Sequence, residues 1–166
     1  MAVVVGNPKP LSRTHEAALL LADRLGGADL VVDLADVAAE LFDPSSSRVA
    51  GLVEEVAASD LLVVASPTYK ATYTGLLKSF LDRFPHEGLA GVTAVPLMLG
   101  AAPVHALAPE HGLRPLLVEL GASVPTRGLF VLDAQHDDPA AYDAWLATAG
   151  PLLGRQTATD LRVVSA

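Results

Sequence analysis

Short apolar runs alternate along this chain with longer segments whose apolar residues recur at helical spacing, and that alternation limits the fold more than any other feature. Ala2–Val5 is a β-branched run that stops at Gly6. Ser12–Leu25 follows, with Ala18, Leu21, Ala22 and Leu25 on one helical face and Gly26-Gly27 as the stop. Leu30–Asp33 reads as a second strand, and Arg48–Ala58 as a helix with Leu52, Val53 and Val56 turned inward. Leu61–Ala65 is continuously apolar between Asp60 and Ser66-Pro67, the pattern of a strand buried on both faces. Gly75–Phe84 is helical up to Pro85, Thr93–Leu99 is a fourth strand, and His105–Leu120 is a helix ending at Gly121. Val124–Leu132 contains a fifth strand, and Pro139–Leu153 is a last helix with proline in its first turn. Strands alternating with helices make βαβ units, and right-handed crossovers place the helices on both faces of a parallel sheet. The expected fold is therefore α/β, a three-layer α/β/α sandwich with a five-stranded parallel sheet. One domain is expected over residues 1–154, followed by a tail over 155–166 that is flexible or docked on a partner.

With 166 residues, 51% hydrophobic and 18% charged, the chain is suited to one domain with a full core and is too apolar for a disordered protein. It has no cysteine, which excludes disulfides, thiolate metal sites and cysteine nucleophiles. No apolar run reaches the ~18 residues of a membrane span. The opening residues MAVVVGNPKP lack the basic segment and the length of a signal peptide, so a cytoplasmic location is expected. A formal charge of −8 argues against a nucleic-acid or anionic-membrane surface. An acidic chain that binds an anion must place its few cations deliberately.

In an open parallel sheet, ligands bind beyond the carboxyl ends of the strands, near the switch in strand order. That rule selects three loops. The first, Gly6 to Thr14, leaves a strand at glycine and enters a helix through Ser12 and Thr14, with Lys9 and Arg13 beside them. Free amides at a helix start, small hydroxyls and two cations make a phosphate site, although Ser12 is equally a plain helix cap. The loop matches neither G-x-G-x-x-G nor G-x-x-x-x-G-K-[ST]. The second, Ser66 to Gly75, carries Tyr69 and Tyr73, which suit the wall of a flat heterocycle or the core. The third, Leu99 to Pro103, has small residues, Gly100 and Ala101 among them, that let a ligand approach the backbone.

Several catalytic constellations are missing. There is no G-x-S-x-G elbow, and His15, His86, His105, His111 and His136 are scattered, without H-E-x-x-H. His136-Asp137-Asp138 and Glu54-Glu55 read as solvated turns and faces. No catalytic acid or base and no metal site is assigned; any chemistry would be a cofactor's.

The loop Gly6–Thr14, the segment Ser66–Asp82 (SPTYKATYTGLLKSFLD) and the stretch Pro96–Pro115 together resemble the NAD(P)H-dependent FMN reductases of the flavodoxin-like superfamily. Within it they are most similar to the reductases of two-component alkanesulfonate monooxygenase systems. The resemblance implies FMN shared among the three loops, reduced by NADPH or NADH. Lys9, Ser12, Arg13 and Thr14 would hold its phosphate; Pro67, Thr68, Tyr69 and Lys70 would line the ring and ribityl chain; Gly100 and Ala101 would border the ring. It also implies a homodimer or homotetramer with the helix Thr74–Phe84 at a subunit interface, and a flavin-dependent monooxygenase as partner. The alternatives are a non-catalytic flavodoxin-type electron carrier and a quinone or azo reductase with bound FMN. Asn7 and Lys9 stand where relatives often carry Ser and Arg; Lys70 matches the sulfonate-linked group. His111 stands where that group inserts a residue that makes a π-bulge, and Pro109, Gly112 and Pro115 equally suit a simple kink.

Overall fold

The apolar runs become the strands of one sheet: β1 (Ala2–Val5), β2 (Leu30–Asp33), β3 (Leu61–Pro67), β4 (Thr93–Gly100) and β5 (Leu129–Leu132). This computed structural model describes residues 1–153. The expected domain boundary at 154 and the tail over 155–166 lie outside the described residues. All five strands pair in parallel, in the order β2-β1-β3-β4-β5. Between them run α1 (Arg13–Arg24), α2 (Ser47–Ala57), α3 (Gly75–Leu81), α4 (Arg114–Glu119) and, last, α5 (Ala140–Leu153).

Alternation within the strands builds the layers. Val3 and Val5 of β1 and Val63 and Ala65 of β3 pack against Ala17, Leu21 and Tyr142 of α1 and α5. Ala2, Val4, Leu62 and Val64 pack against Val56, Leu77 and Leu117 of α2, α3 and α4. Each fully buried Leu or Val contributes about 1.5–3 kcal/mol. The order places β1 and β3 side by side with crossovers leaving to opposite faces, so the switch point lies at their carboxyl ends. Pro96 is tolerated within β4 because pairing to β5 begins only at Leu97. Among the described residues no helix is long and apolar enough to cross a membrane.

The helical boundaries differ from expectation at two places. Helix α3 stops at Leu81 rather than Phe84: its end tightens into bonds from Arg83 N to Phe80 O and Phe84 N to Leu81 O, just ahead of Pro85. The Arg83 guanidinium there donates to the carbonyls of Leu41, Asp43 and Pro44. His105–Leu120 is not one helix. A 3-10 turn at Pro103–His105 is followed by a π turn at Pro109–Leu113, and regular helix begins only at α4. Pro115 has no N–H for the carbonyl one turn back, and the ladder changes register there. His111 thus stands inside a π turn, not a simple kink. The fifth strand is confined to Leu129–Leu132, where β4 offers partners.

Tyr142 is wholly buried and donates through its hydroxyl to the carbonyl of His136 at 2.6 Å. Burial, helped by Asp137 and Asp138, pushes its pKa from 10.0 up to about 12. A proton held more tightly in the folded state adds stability that is complete below the unfolded pKa. It is lost as pH rises through the folded one. Unfolding stability is expected to fall by on the order of 2 kcal/mol between about pH 10 and 12, and Tyr142→Phe to remove that dependence. Urea titrations across this window check it; equal slopes for the two proteins would defeat the assignment.

Candidate functional site

The first loop is shaped by its neighbours on the sheet. Gly6 donates its N–H to Ala65 O at 2.7 Å. A Cβ at this position would lie 2.5 Å from Leu77 Cβ, so only glycine lets α3 pass so close to the end of β1. Buried Asn7 closes the loop onto the helix: its Nδ2 donates to Thr14 Oγ1 at 3.0 Å, and its Oδ1 accepts from Lys9 N at 2.9 Å. Ser12 caps α1 by accepting from His15 N at 3.3 Å. The first amides of α1 beyond that cap have no intrahelical acceptor. Ser12 and Thr14 are buried, whereas Lys9 and Arg13 are exposed.

The second loop is tied at both ends. Thr68 N donates to Leu99 O at 2.7 Å, fastening the loop to β4. Thr74 caps α3 by accepting from Leu77 N at 3.1 Å, and its hydroxyl donates to Gly6 O at 2.6 Å, joining second loop to first. Ser66 Oγ accepts from Thr74 N at 3.1 Å. Between these anchors Tyr69 and Thr72 exchange backbone bonds of 2.8 and 3.2 Å around Lys70 and Ala71. Both central residues are left-handed, at φ 53° and 68°. That geometry normally selects Asn-Gly, and two side chains bearing Cβ atoms make the turn strained. Lys70 is exposed at its tip, and Tyr69 is 50% exposed. Tyr73 instead turns inward, packing against the core and beside Gly112 of the π turn. The two tyrosines of this loop therefore do not act as a pair.

The third loop meets the second. A Cβ on Gly100 would lie 2.8 Å from the Phe130 ring and 3.4 Å from Thr68 Oγ1. Ala101 follows, exposed. Pro67 is buried at the end of β3, and Thr68 Oγ1 is buried with no hydrogen-bond partner among the described residues. The ten residues expected at the site thus lie on three loops and on the ends of the strands and helix that flank them, which hydrogen bonds and close packing bring to one edge of the sheet.

The charges are distributed to match. Arg24, Arg48 and Arg114 each close on a carboxylate, and Lys78 pairs with Asp82 one turn on. Lys78 is thereby engaged within its own helix rather than at the sheet edge. Lys9, Arg13 and Lys70 make no ion pair among the described residues; Lys9 and Lys70 stand on the loops at this edge and Arg13 at the start of α1. His136 is engaged by Glu16 at 2.7 Å and by Asp133 O at 3.0 Å. Among the described residues no group of three or more His, Asp or Glu side chains is placed to share a metal ion.

Residues 1–137 match the model of the family described as NADPH-dependent FMN reductase. The chain belongs to this family. It is accordingly an oxidoreductase of the flavodoxin-like fold that works with FMN and a nicotinamide nucleotide. It is 34% identical over 143 residues to FMN reductase (NADPH) of Escherichia coli, covering 81% of this chain and 74% of that one. It is likewise 34% identical over 158 residues to the NADH-dependent FMN reductase SfnF of Pseudomonas putida, covering 86% and 85%. Among solved structures, the apo form of NADH:FMN oxidoreductase (EMOB) superposes with a TM-score of 0.79 at 31% identity, covering 93% of this chain and 86% of that one.

Three residues at this edge of the sheet carry more than their sequence positions announced. Asn7, Ser66 and Thr74 hold the loops to each other and to the sheet. Thr74 had a local signal, a hydroxyl directly before a helical glycine. Asn7 offered only the tendency of Asn to bond to nearby backbone in turns.

Proposed function

We propose that FMN binds across the carboxyl ends of β1, β3 and β4. Lys9, Ser12, Arg13 and Thr14 hold the phosphate; Pro67, Thr68, Tyr69 and Lys70 line the ring and ribityl chain; Gly100 and Ala101 border the ring. The observation that carries this reading is the placement of cations: in a chain of net charge −8, Lys9, Arg13 and Lys70 stand together at one edge without carboxylate partners among the described residues. The orphaned Thr68 hydroxyl at the same edge fits the same ligand, since a buried donor needs a partner.

Bound FMN supplies an acceptor for the hydride of a nicotinamide. The chain's own part is positioning. Arg13 and Lys9, with the first amides of α1, neutralise phosphate at a helix start. Lys70 and the amides of its loop stabilise negative charge that builds on the ring during reduction. Tyr69, half exposed on the rim, covers a ring face. No side chain is assigned as acid or base. The relatives named for their nicotinamide divide between NADPH and NADH, and either serves this reading. Reduced flavin would pass to a flavin-dependent monooxygenase in the cytoplasm, from a homodimer or homotetramer.

The test is NAD(P)H oxidation with and without added FMN. Loss of the nicotinamide band that depends on excess FMN is expected. Flavin retained through purification with no NAD(P)H oxidation would instead identify an electron carrier. In the same series Arg13→Ala is expected to weaken FMN binding about ten- to a hundredfold, since a charge-assisted bond contributes about 1.5–3 kcal/mol. Unchanged affinity in a calorimetric titration would remove Arg13 from the phosphate site.

A further inference from the structure

Leu11 occupies a conformation that its own side chain does not explain. Its φ is 48°, in the left-handed region that a γ-branched residue enters at a cost, and the side chain is 74% exposed. It directly precedes Ser12, the cap of α1. What holds it is its backbone: Leu11 N donates to Asp33 Oδ2 at 3.1 Å. Asp33 is the last residue of β2, on the strand next to β1, and its side chain is only 7% exposed. The same oxygen lies 3.1 Å from His15 Nδ1, and the other accepts from Ala35 N at 3.3 Å. A carboxylate only accepts, so His15 donates through Nδ1. His15 meanwhile gives its backbone N–H to Ser12 Oγ. Loop, helix start and neighbouring strand therefore converge on one buried carboxylate.

We propose that Asp33 is the positioning residue of the phosphate loop, holding Leu11 left-handed through its N–H and the start of α1 through His15. The inference rests on the reading of Lys9–Thr14 as a phosphate site. It assigns to Asp33 a role for which no contact with the flavin is required: the carboxylate organises the groups that face the phosphate. A negative charge close to an anion site is otherwise unfavourable, and here its oxygens are committed to three donors. Removing the carboxylate should let the loop leave its strained conformation, and only ligands bearing a phosphate should register the change.

The experiment compares FMN with riboflavin, which lacks the phosphate. In Asp33→Asn one amide oxygen is left for three donors. FMN affinity is expected to fall about tenfold and riboflavin affinity to stay as in the wild type. Equal weakening of both ligands would mean general damage, and unchanged FMN affinity would mean no role; either overturns the proposal. A wild-type protein that binds FMN no better than riboflavin would instead strike at the phosphate reading itself. Should Asp33→Asn fail to fold, the wild type decides: the Leu11 amide is expected to exchange slowly with deuterium in the ligand-free protein, and exchange at the rate of an unprotected loop amide overturns the clamp.

Discussion

Gly6→Ala is expected to lower folding stability by about 3 kcal/mol and to abolish measurable flavin binding. The added methyl would sit 2.5 Å from Leu77 Cβ and 3.1 Å from its Cγ. A Cβ is fixed by the backbone, so no rotamer change relieves the overlap. Leu77 is wholly buried and has no room to retreat. Movement of α3 away from β1 is opposed by the Thr74 hydroxyl, which holds the helix cap to Gly6 O at 2.6 Å. The strain must therefore go into the loop that begins at Gly6, the loop proposed to hold phosphate. Gly51→Ala is the internal control. It lies within α2 with nothing within 4 Å of an added Cβ, and there the same exchange favours the helix. Urea unfolding and FMN titration of both variants test the account. A Gly6→Ala protein as stable as the wild type would show that α3 is not held where the packing implies.

The strands were legible because burial on both faces leaves a plain mark. Leu61–Ala65 has no polar interruption between Asp60 and Ser66, and the structure buries Leu62 to Ala65 completely. The parallel sheet with helices on both faces followed from βαβ alternation and crossover handedness, and the choice of three loops from the rule that ligands gather beyond the carboxyl ends of the strands; the strand order itself is set by long-range pairing that no local pattern carries. The shape of the second loop was not legible. Lys70 and Ala71 carry none of the signals of a left-handed turn, which tertiary ties at Thr68 and Thr74 impose on them. The helical period of His105–Leu120 was real, since Leu113 and Leu117 are buried, but period reports the face of a segment and not its hydrogen-bond register. Asp33 reads locally as the polar end of a strand. Its bond to Leu11 spans 22 residues of sequence, beyond any local pattern.

Thr74→Val is expected to destabilise the protein by about 3 kcal/mol although it leaves the shape of the residue unchanged. Valine keeps the β-branch, so no cavity opens, and the whole effect is polar. Thr74 is only 4% exposed, and its hydroxyl both accepts from Leu77 N at 3.1 Å and donates to Gly6 O at 2.6 Å. Loss of the cap costs about 1 kcal/mol. A buried carbonyl left at Gly6 without this donor adds about 1–3 kcal/mol. The two terms share one atom, so they appear together and do not separate in single variants. Thr74→Ser keeps that atom and is expected to recover most of the stability, which a packing role for the methyl would not allow. Because the same hydroxyl joins the cap of α3 to the end of β1, FMN affinity should fall with stability in the valine variant and return with it in the serine variant. Chemical unfolding alongside FMN titration checks both. Full stability in Thr74→Val, or an affinity loss that serine does not repair, would mean that the first and second loops are joined by something other than this bond.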